Sequence, residues 1–333
     1  MHDVARAAGV GIGTVSRVLN DSPHVSVETR ARVRAAMEET GYQPTRRNRR
    51  NQGQHHRLVG VLVPFFGEAS PFMRLRGIVH RLARHHGEAV ILNVESPAEA
   101  RARLVELPNN TMLDGLIVIS MPLQHDEGRQ LARAPFPTVL VDTIDPALPS
   151  VHIDDRAGGA MATRHLLSLG HRRIAFVGEQ PGNQFGFVAS AHREEGFRRM
   201  MAEAGQPVPP ELVRYGAFLH TAARRIARDL LSLDQPPTAI VAGSDTQAFG
   251  CLDAARQLGV RVPEDLSIIG YDDIDLAALM GLTTVRQPLV YSGERAAELV
   301  VESMSMRPAE PSSEQLELEL VVRGTTAPPR SGS

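Results

Sequence analysis

The chain has 333 residues, 42% of them hydrophobic and 22% charged, with a formal net charge of −2. That length allows a small module plus a core of one or two lobes, and the charge excludes an overall basic character. A single cysteine, Cys251, excludes an intrachain disulfide and suits a reducing compartment.

Charge is unevenly distributed. Residues 1–57 carry ten Arg against five acidic residues, and Arg46, Arg47, Arg49 and Arg50 crowd one short segment. A basic module on an acidic body fits phosphate contacts confined to the N-terminal part. Every Lys+Arg residue is Arg, which reads as codon bias rather than function. Among Phe249, Leu252 and Ala254, Cys251 reads as a buried small hydrophobe rather than a reactive thiol. No apolar run is long enough for a membrane span and no signal-peptide pattern is present, so a soluble, cytoplasmic protein is expected.

In chain order, the stretch 3–20 reads as two short helices broken at Gly9, with Thr14, Ser16, Arg17 and Asn20 left polar. That pattern fits a helix-turn-helix, whose second helix enters the major groove. An ordinary helical hairpin fits this stretch as well. Gly9 supplies the positive φ of a tight turn, and Val4, Ala5, Ala8, Val10, Val15 and Val18 are spaced to share one small core. Gly9, Gly11 and Gly13 form no dinucleotide fingerprint, because no strand precedes them. A third helix is predicted from Ser26 as N-cap, with Glu28 in its first turn and an apolar stripe of Val33, Ala36 and Met37. Gly41-Tyr42-Gln43-Pro44 ends it.

At this point a family resemblance is plain. Asp-Val-Ala (3–5), Gly-Val (9–10), Thr-Val-Ser-Arg-Val-Leu-Asn (14–20), Val-Ser, Thr-Arg and Gly-Tyr-x-Pro stand in the order and spacing of the LacI/GalR (lactose-repressor) family of bacterial transcription regulators. Later phrases extend the resemblance to roughly residues 2–329: Gly-His-Arg-Arg-Ile-Ala-Phe-Val-Gly (170–178), Arg-Glu-Glu-Gly-Phe (193–197), Ser-Asp-Thr-Gln-Ala-Phe-Gly (244–250), Ser-Ile-Ile-Gly-Tyr-Asp-Asp (267–273) and Leu-Thr-Thr-Val-Arg-Gln-Pro (282–288).

Residues 45–57 are polar, basic and aperiodic, and read as a linker. The resemblance implies a hinge helix there that wedges a Leu into the minor groove. Asn48 and Asn51 stand where the family has Ala and Leu, so the balance shifts either to phosphate binding by the arginines or to a different contact.

From Leu58 the texture alternates between strand and helix. Strands are predicted at 58–64, 89–93, 115–120 and 138–142, with helices at 72–86, 97–107 and 127–134 between them. A second set follows: helices 156–169, 191–204, 221–233 and 245–258, with strands 173–178, 212–215, 239–242 and 267–271. The expected fold is therefore a small all-α helix-turn-helix headpiece (1–44), a linker (45–57), and an α/β core (58–330) of two doubly wound parallel-sheet lobes. Lobe 1 is expected over about 58–154 and 287–308, lobe 2 over about 155–286 and 314–327, with one late strand at 315–323. The resemblance implies a core like the periplasmic sugar-binding proteins, with an effector cleft between the lobes and dimer contacts along the side.

Site residues follow. For DNA they are Ile12, Gly13, Thr14, Ser16, Arg17, Asn20, Arg46, Arg47, Arg49, Arg50 and Asn51. Arg17 matches the family's base-contacting Arg and suits guanine O6 and N7. Ile12 offers only apolar contact and Gly13 none. Thr14, Ser16 and Asn20 read as phosphate contacts or helix caps. For the effector, the loops after Pro64, Ser120, Asp142, Gly178, Ala242 and Tyr271 are candidates, because ligands of open α/β sheets sit at the carboxyl ends of strands. Arg193, Asp272 and Phe218 match positions where relatives hold effector-contacting residues, and Ser244, Asp245 and Phe72 (in the first βα loop) join them. The plainer alternatives are an exposed Arg193 paired with Glu194, Asp272 as a helix cap and Phe218 as core. The pairs Asp154-Asp155 and Asp272-Asp273 read as helix caps rather than catalytic dyads.

No metal ligand set, catalytic elbow or phosphate loop is found, and no cofactor is called for. The reading is a homodimeric DNA-binding transcription regulator, a repressor, controlled by a small sugar-like effector and bound to a near-palindromic duplex. The alternatives are a periplasmic-type sugar-binding protein without DNA function and a nucleotide-dependent α/β enzyme.

Overall fold

The computed structural model describes residues 2–19, 22, 24–40, 57–124, 126–306 and 310–330. Three helices come first: α1 (His2–Ala7), α2 (Ile12–Leu19) and α3 (Val27–Glu39). Between α1 and α2, Gly9 takes φ +62°, a left-handed turn that a Cβ would strain. Ser26 caps α3, its hydroxyl oxygen accepting the Thr29 N–H at 3.2 Å. Val4, Ala5, Ala8, Val15, Val18, Val33 and Ala36 are buried together, with Val10, Val25 and Met37 packed against them. The apolar spacing read from the sequence thus becomes one three-helix core.

The core has two sheets. In chain order the first lobe comprises β1 (Arg57–Pro64), α4 (Ala69–Ala83), β2 (Gly87–Val94), α5 (Pro97–Glu106), β3 (Gly115–Ile119), α6 (Glu127–Ala132), β4 (Thr138–Val141) and β5 (Ser150–His152). The second comprises α7 (Asp155–Ser168), β6 (Ile174–Gly178), α8 (Ala189–Glu203), β7 (Val213–Tyr215), α9 (His220–Leu231), β8 (Ala239–Ala242), α10 (Asp245–Leu258), β9 (Ser267–Asp272), α11 (Asp275–Leu279) and β10 (Thr283–Arg286). The chain then returns to lobe 1 as α12 (Leu289–Ser305) and β11 (Ser313–Gln315), and ends in lobe 2 with β12 (Glu319–Val321).

Strand order is β11-β5-β4-β3-β1-β2 in one sheet and β12-β10-β9-β8-β6-β7 in the other. All ladders are parallel except β10 with β12. Each sheet is buried on both faces, which is why β1 and β3 read as unbroken apolar runs rather than alternating ones. The lobes are joined at three crossings, near residues 153–154, 287–288 and 316–318.

Several expected boundaries move. The late strand expected at 315–323 is two short strands in different sheets: Ser313–Gln315 pairs with β5 of lobe 1 and only Glu319–Val321 pairs in lobe 2. A β-prone run carries no mark of which sheet it joins, so this crossing was invisible in the sequence. Arg57, expected as linker, opens β1. The strands β5 and β10 and the short helix α11 were not predicted; each has five residues or fewer, too short to show a period.

Helix pairs in both lobes cross at glycines. A Cβ on Gly293 of α12 would lie 2.1 Å from the Arg74 carbonyl oxygen on α4, and one on Gly159 of α7 would lie 2.0 Å from the Arg193 carbonyl oxygen on α8. The helix backbones touch there. Two buried arginines on those helices are thereby held at fixed depth.

Candidate functional site

The first site is α2. Ile12 is 41% exposed, Gly13 and Arg17 are exposed, and Thr14 and Ser16 are half-buried. Val15 and Val18, on the opposite face, are buried. This split leaves Ile12, Gly13 and Arg17 facing outward. A Cβ on Gly13 would meet nothing within 4 Å. The capping reading of Ser16 is removed by its position inside the helix, which begins at Ile12. Asn20, Arg46, Arg47, Asn48, Arg49, Arg50 and Asn51 lie outside the described residues.

The second site lies between the lobes, at the carboxyl ends of the strands. Among the described residues, six non-glycine residues have a left-handed φ, and five of them sit at those ends: Phe65 after β1, Ser120 after β3, Asp142 after β4, and Asp272 and Asp273 at the end of β9. Such backbone is unfavourable for residues with a Cβ and persists where the surroundings impose it, often at ligand sites.

Arg193 is buried, not on an exposed helix face. Its Nε–H donates to Asp155 Oδ1 at 2.8 Å and its Nη1–H to the Gly243 carbonyl at 2.5 Å. Its Nη1 also lies 3.9 Å from Asp272 Oδ1, and its guanidinium covers the Tyr271 ring at 3.8 Å. A desolvated guanidinium on a ring contributes about 2 kcal/mol. Glu194, the partner considered from the sequence, instead accepts from Arg198 and from the Tyr215 hydroxyl.

Arg74 answers it from lobe 1. It donates to Ser70, to Asp142, and to Gln287 Oε1 at 3.0 Å. Gln287 in turn donates from Nε2 to Asp272 Oδ1 at 2.6 Å. One amide therefore ties the lobe 1 arginine to the lobe 2 carboxylate, at a point where the chain crosses between lobes. Ser120 completes the wall, its hydroxyl donating to Asp142 at 3.1 Å.

Asp272 is no helix cap, since α11 starts at Asp275 with Ile274 at its N-cap position. Asp273 is not one either; it pairs with Arg286 and Arg323. Asp154, by contrast, does cap α7, its Oδ1 accepting the Ala157 N–H. Burial pushes the Asp155 and Asp272 carboxyls up, and the charge of Arg193 pulls both back down.

Two of the sequence-derived effector candidates are turned inward. Asp245 is fully buried; its oxygens accept from the Thr284 hydroxyl and the Ile274 N–H. Burial, with Asp272 adding repulsion, raises its pKa. Its role is to hold β10 and the β9–α11 turn. Ser244 caps α10 through the Gln247 N–H. Phe218 is half-buried after β7. Phe72 is 55% exposed, in the first turn of α4 rather than in a loop.

The loop after β6, a candidate from its place after Gly178, contributes residues that the sequence did not single out. Phe185 of this lobe 2 loop meets Phe65 of lobe 1 edge-on at 5.0 Å, and Phe187 stacks on Phe185 at 5.1 Å. Asn183 holds the loop, its side chain bonding both the N–H and the carbonyl of Phe187. The same Asn183 donates to Glu179, whose carboxyl burial pushes up to about 7 against the pull of Arg193. Among the described residues no group of three or more His, Cys, Asp or Glu is placed to hold a metal ion, and no helix is long and apolar enough to cross a membrane.

Comparison with known proteins covers nearly the whole chain. Residues 1–45 match the model of bacterial regulatory proteins of the lacI family, and residues 163–326 match that of the periplasmic binding protein-like domain. The chain is 32% identical to the HTH-type transcriptional repressor CytR of Escherichia coli (strain K12), over 98% of this chain and 96% of that one. The transcriptional regulator CelR in complex with cellobiose superposes with TM-score 0.71 at 30% identity, covering 97% of this chain and 98% of that one. The lac repressor dimer bound to operator and the anti-inducer ONPF superposes with TM-score 0.76 at 27% identity, covering 98% of each chain. These relatives are transcription regulators, not enzymes. With an outward-facing reading helix, a doubly wound two-lobe core and relatives of this kind along nearly its whole length, the chain belongs to the lacI family of bacterial regulatory proteins and is a helix-turn-helix, DNA-binding transcription regulator.

Proposed function

We propose that the protein is a cytoplasmic repressor that binds a near-palindromic operator as a homodimer and is controlled by a small sugar-like effector held between its lobes. The observation that carries this reading is the continuous buried network Asp142–Arg74–Gln287–Asp272–Arg193, which crosses from one lobe to the other at the carboxyl ends of the strands. A ligand entering there must exchange hydrogen bonds with groups of both lobes, so it acts differently on open and closed arrangements, as control by a ligand requires. The cellobiose held by CelR supports a sugar-like molecule.

Dimerisation is supported by a face on α4 and α11. The Arg76–Asp275 ion pair (2.9 Å) sets these helices side by side across the lobes, and Val79, Leu276, Leu279 and Met280 on them are exposed. Apolar exposure of this extent on adjacent elements is characteristic of a contact surface. A two-fold dimer presents two copies of α2 to two half-sites, which accounts for a near-palindromic site.

Capture of genomic fragments by the purified full-length protein tests the reading. Enrichment of a near-palindromic sequence upstream of genes for uptake or breakdown of a sugar is the expected result. Binding of duplex DNA without sequence preference would refute it.

A further inference from the structure

The charges that line the cleft do not balance. Lobe 1 contributes Arg74 and Asp142; lobe 2 contributes Arg193, Asp155, Asp272 and Glu179. Four carboxyl groups thus face two guanidiniums. The other ionisable groups nearby do not change this. His152, beside Arg74 and Asp142, has its pKa lowered by burial, which favours the neutral ring. Asp273 is matched by Arg286 and Arg323, and Asp245 is enclosed in lobe 2.

Both guanidiniums are already neutralised. Arg74 is ion-paired with Asp142, and Arg193 with Asp155 while also lying near Asp272. Among the described residues no cation lies at hydrogen-bond distance from Glu179; its side-chain partner is the Asn183 amide at 3.3 Å. A phosphate or carboxylate entering this space would find no unmatched cation and would face carboxylates in a medium of low dielectric.

The hydrogen-bond chemistry points the same way. Ionised carboxylates only accept, so a site walled by Asp142 and Asp155, each ion-paired, and by Asp272 is satisfied by a ligand rich in donors. Hydroxyl groups supply donors without charge. The exposed ring of Phe65, which meets Phe185 of the other lobe, offers an apolar face for the carbon skeleton of such a molecule.

We propose that the cleft selects its effector by charge, taking an uncharged, hydroxyl-rich molecule and rejecting the phosphate esters and acids of the same skeleton. This rests on the reading of the cleft as the effector site, and it makes the Arg193–Asp155 pair and Glu179 determinants of specificity. Asp155 keeps Arg193 from acting as an anion receptor. Glu179, pushed up to about 7 by burial, adds repulsion from the loop side where it is ionised, as at pH 8.

The test needs no knowledge of the natural effector. Inorganic phosphate and glucose 6-phosphate are titrated at pH 8 into the full chain as wild type, Asp155→Asn and Glu179→Gln, with phosphorus NMR line width and thermal midpoint as readouts. The headpiece and linker are the same in all three, so differences among them report the cleft. Asn is isosteric with Asp and still accepts from Arg193, so the fold is retained while the neutralising charge is lost. Asp155→Asn is expected to bind phosphate at least tenfold more tightly than the wild type, and Glu179→Gln to show a smaller gain in the same direction. Equal phosphate affinity in all three proteins would overturn the proposal. So would wild-type binding of glucose 6-phosphate that Arg193→Met abolishes. Failure of the effector-site reading shows separately, as a cleft ligand that leaves operator affinity unchanged.

Discussion

Replacing Arg193 by methionine is expected to destabilise the core by about 3–5 kcal/mol at pH 8, the cost typical of removing one partner from a buried ion pair. Methionine keeps most of the volume over the Tyr271 ring, so the loss reports charge rather than a cavity. Asp155 then keeps only the more distant Arg74, and Asp272 keeps the Gln287 amide and the same Arg74. The penalty depends on pH in a definite sense. Burial already raises both carboxyls, and loss of Arg193 raises them further. A carboxyl whose folded pKa lies above its unfolded value costs stability once pH exceeds the folded pKa, and that cost disappears as pH falls towards the unfolded value. The difference between variant and wild type should therefore shrink from pH 8 to pH 5. Chemical denaturation of both proteins at the two pH values measures it. A difference independent of pH would mean that the arginine acts through packing alone.

The second large effect is expected at the DNA. Arg17→Ala should leave the fold intact, because the side chain is exposed and makes no ion pair with a described residue. It should lower discrimination between operator and unrelated duplex by about 1–3 kcal/mol, roughly 5- to 150-fold, as loss of one bidentate contact to a guanine does. Nonspecific affinity should fall much less, since that term comes from phosphate contacts along the whole basic segment. Competition binding at fixed salt, with operator and scrambled duplex, measures both. An unchanged ratio of specific to nonspecific binding would remove Arg17 from base reading and leave it a phosphate contact.

The two sites were legible to different degrees, for physical reasons. The headpiece is built from contacts between residues close in sequence, so spacing alone assembled Val4, Val15, Val18 and Val33 into a core and turned Arg17 outward. The core strands were legible because burial on both faces makes each a continuous apolar run, as in β1 and β8. The cleft was half legible. Arg193 and Asp272 sit in phrases that stand out, and the structure brings them together with Asp155. Arg74 lies 68 residues from Asp142 and 213 from Gln287 along the chain, and on α4 it reads as any solvated helical arginine. Only the crossing of α4 and α12 at Gly293 puts it inside. Asp245 misled for the opposite reason: its phrase marks the start of α10, but a buried hydroxyl on β10, distant in sequence, takes its carboxylate.

The aromatic contact between Phe65 and Phe185 was also beyond the sequence, because it joins loops of different lobes. It shows how the pieces of the cleft depend on one another. Strained backbone at Phe65, Ser120 and Asp142 aims lobe 1 at the cleft. The loop after β6 reaches across to it, and Gln287 ties both lobes at the crossing.

In the proposed function, occupancy of this cleft and binding of the operator are linked. The most direct test measures operator affinity with and without a saturating sugar that stabilises the protein thermally and loses that effect in Arg193→Met. The expected change is about 5- to 150-fold, matched by an equal change in sugar affinity when operator is bound. A sugar that binds in the cleft with the same affinity in the presence and absence of operator would contradict it.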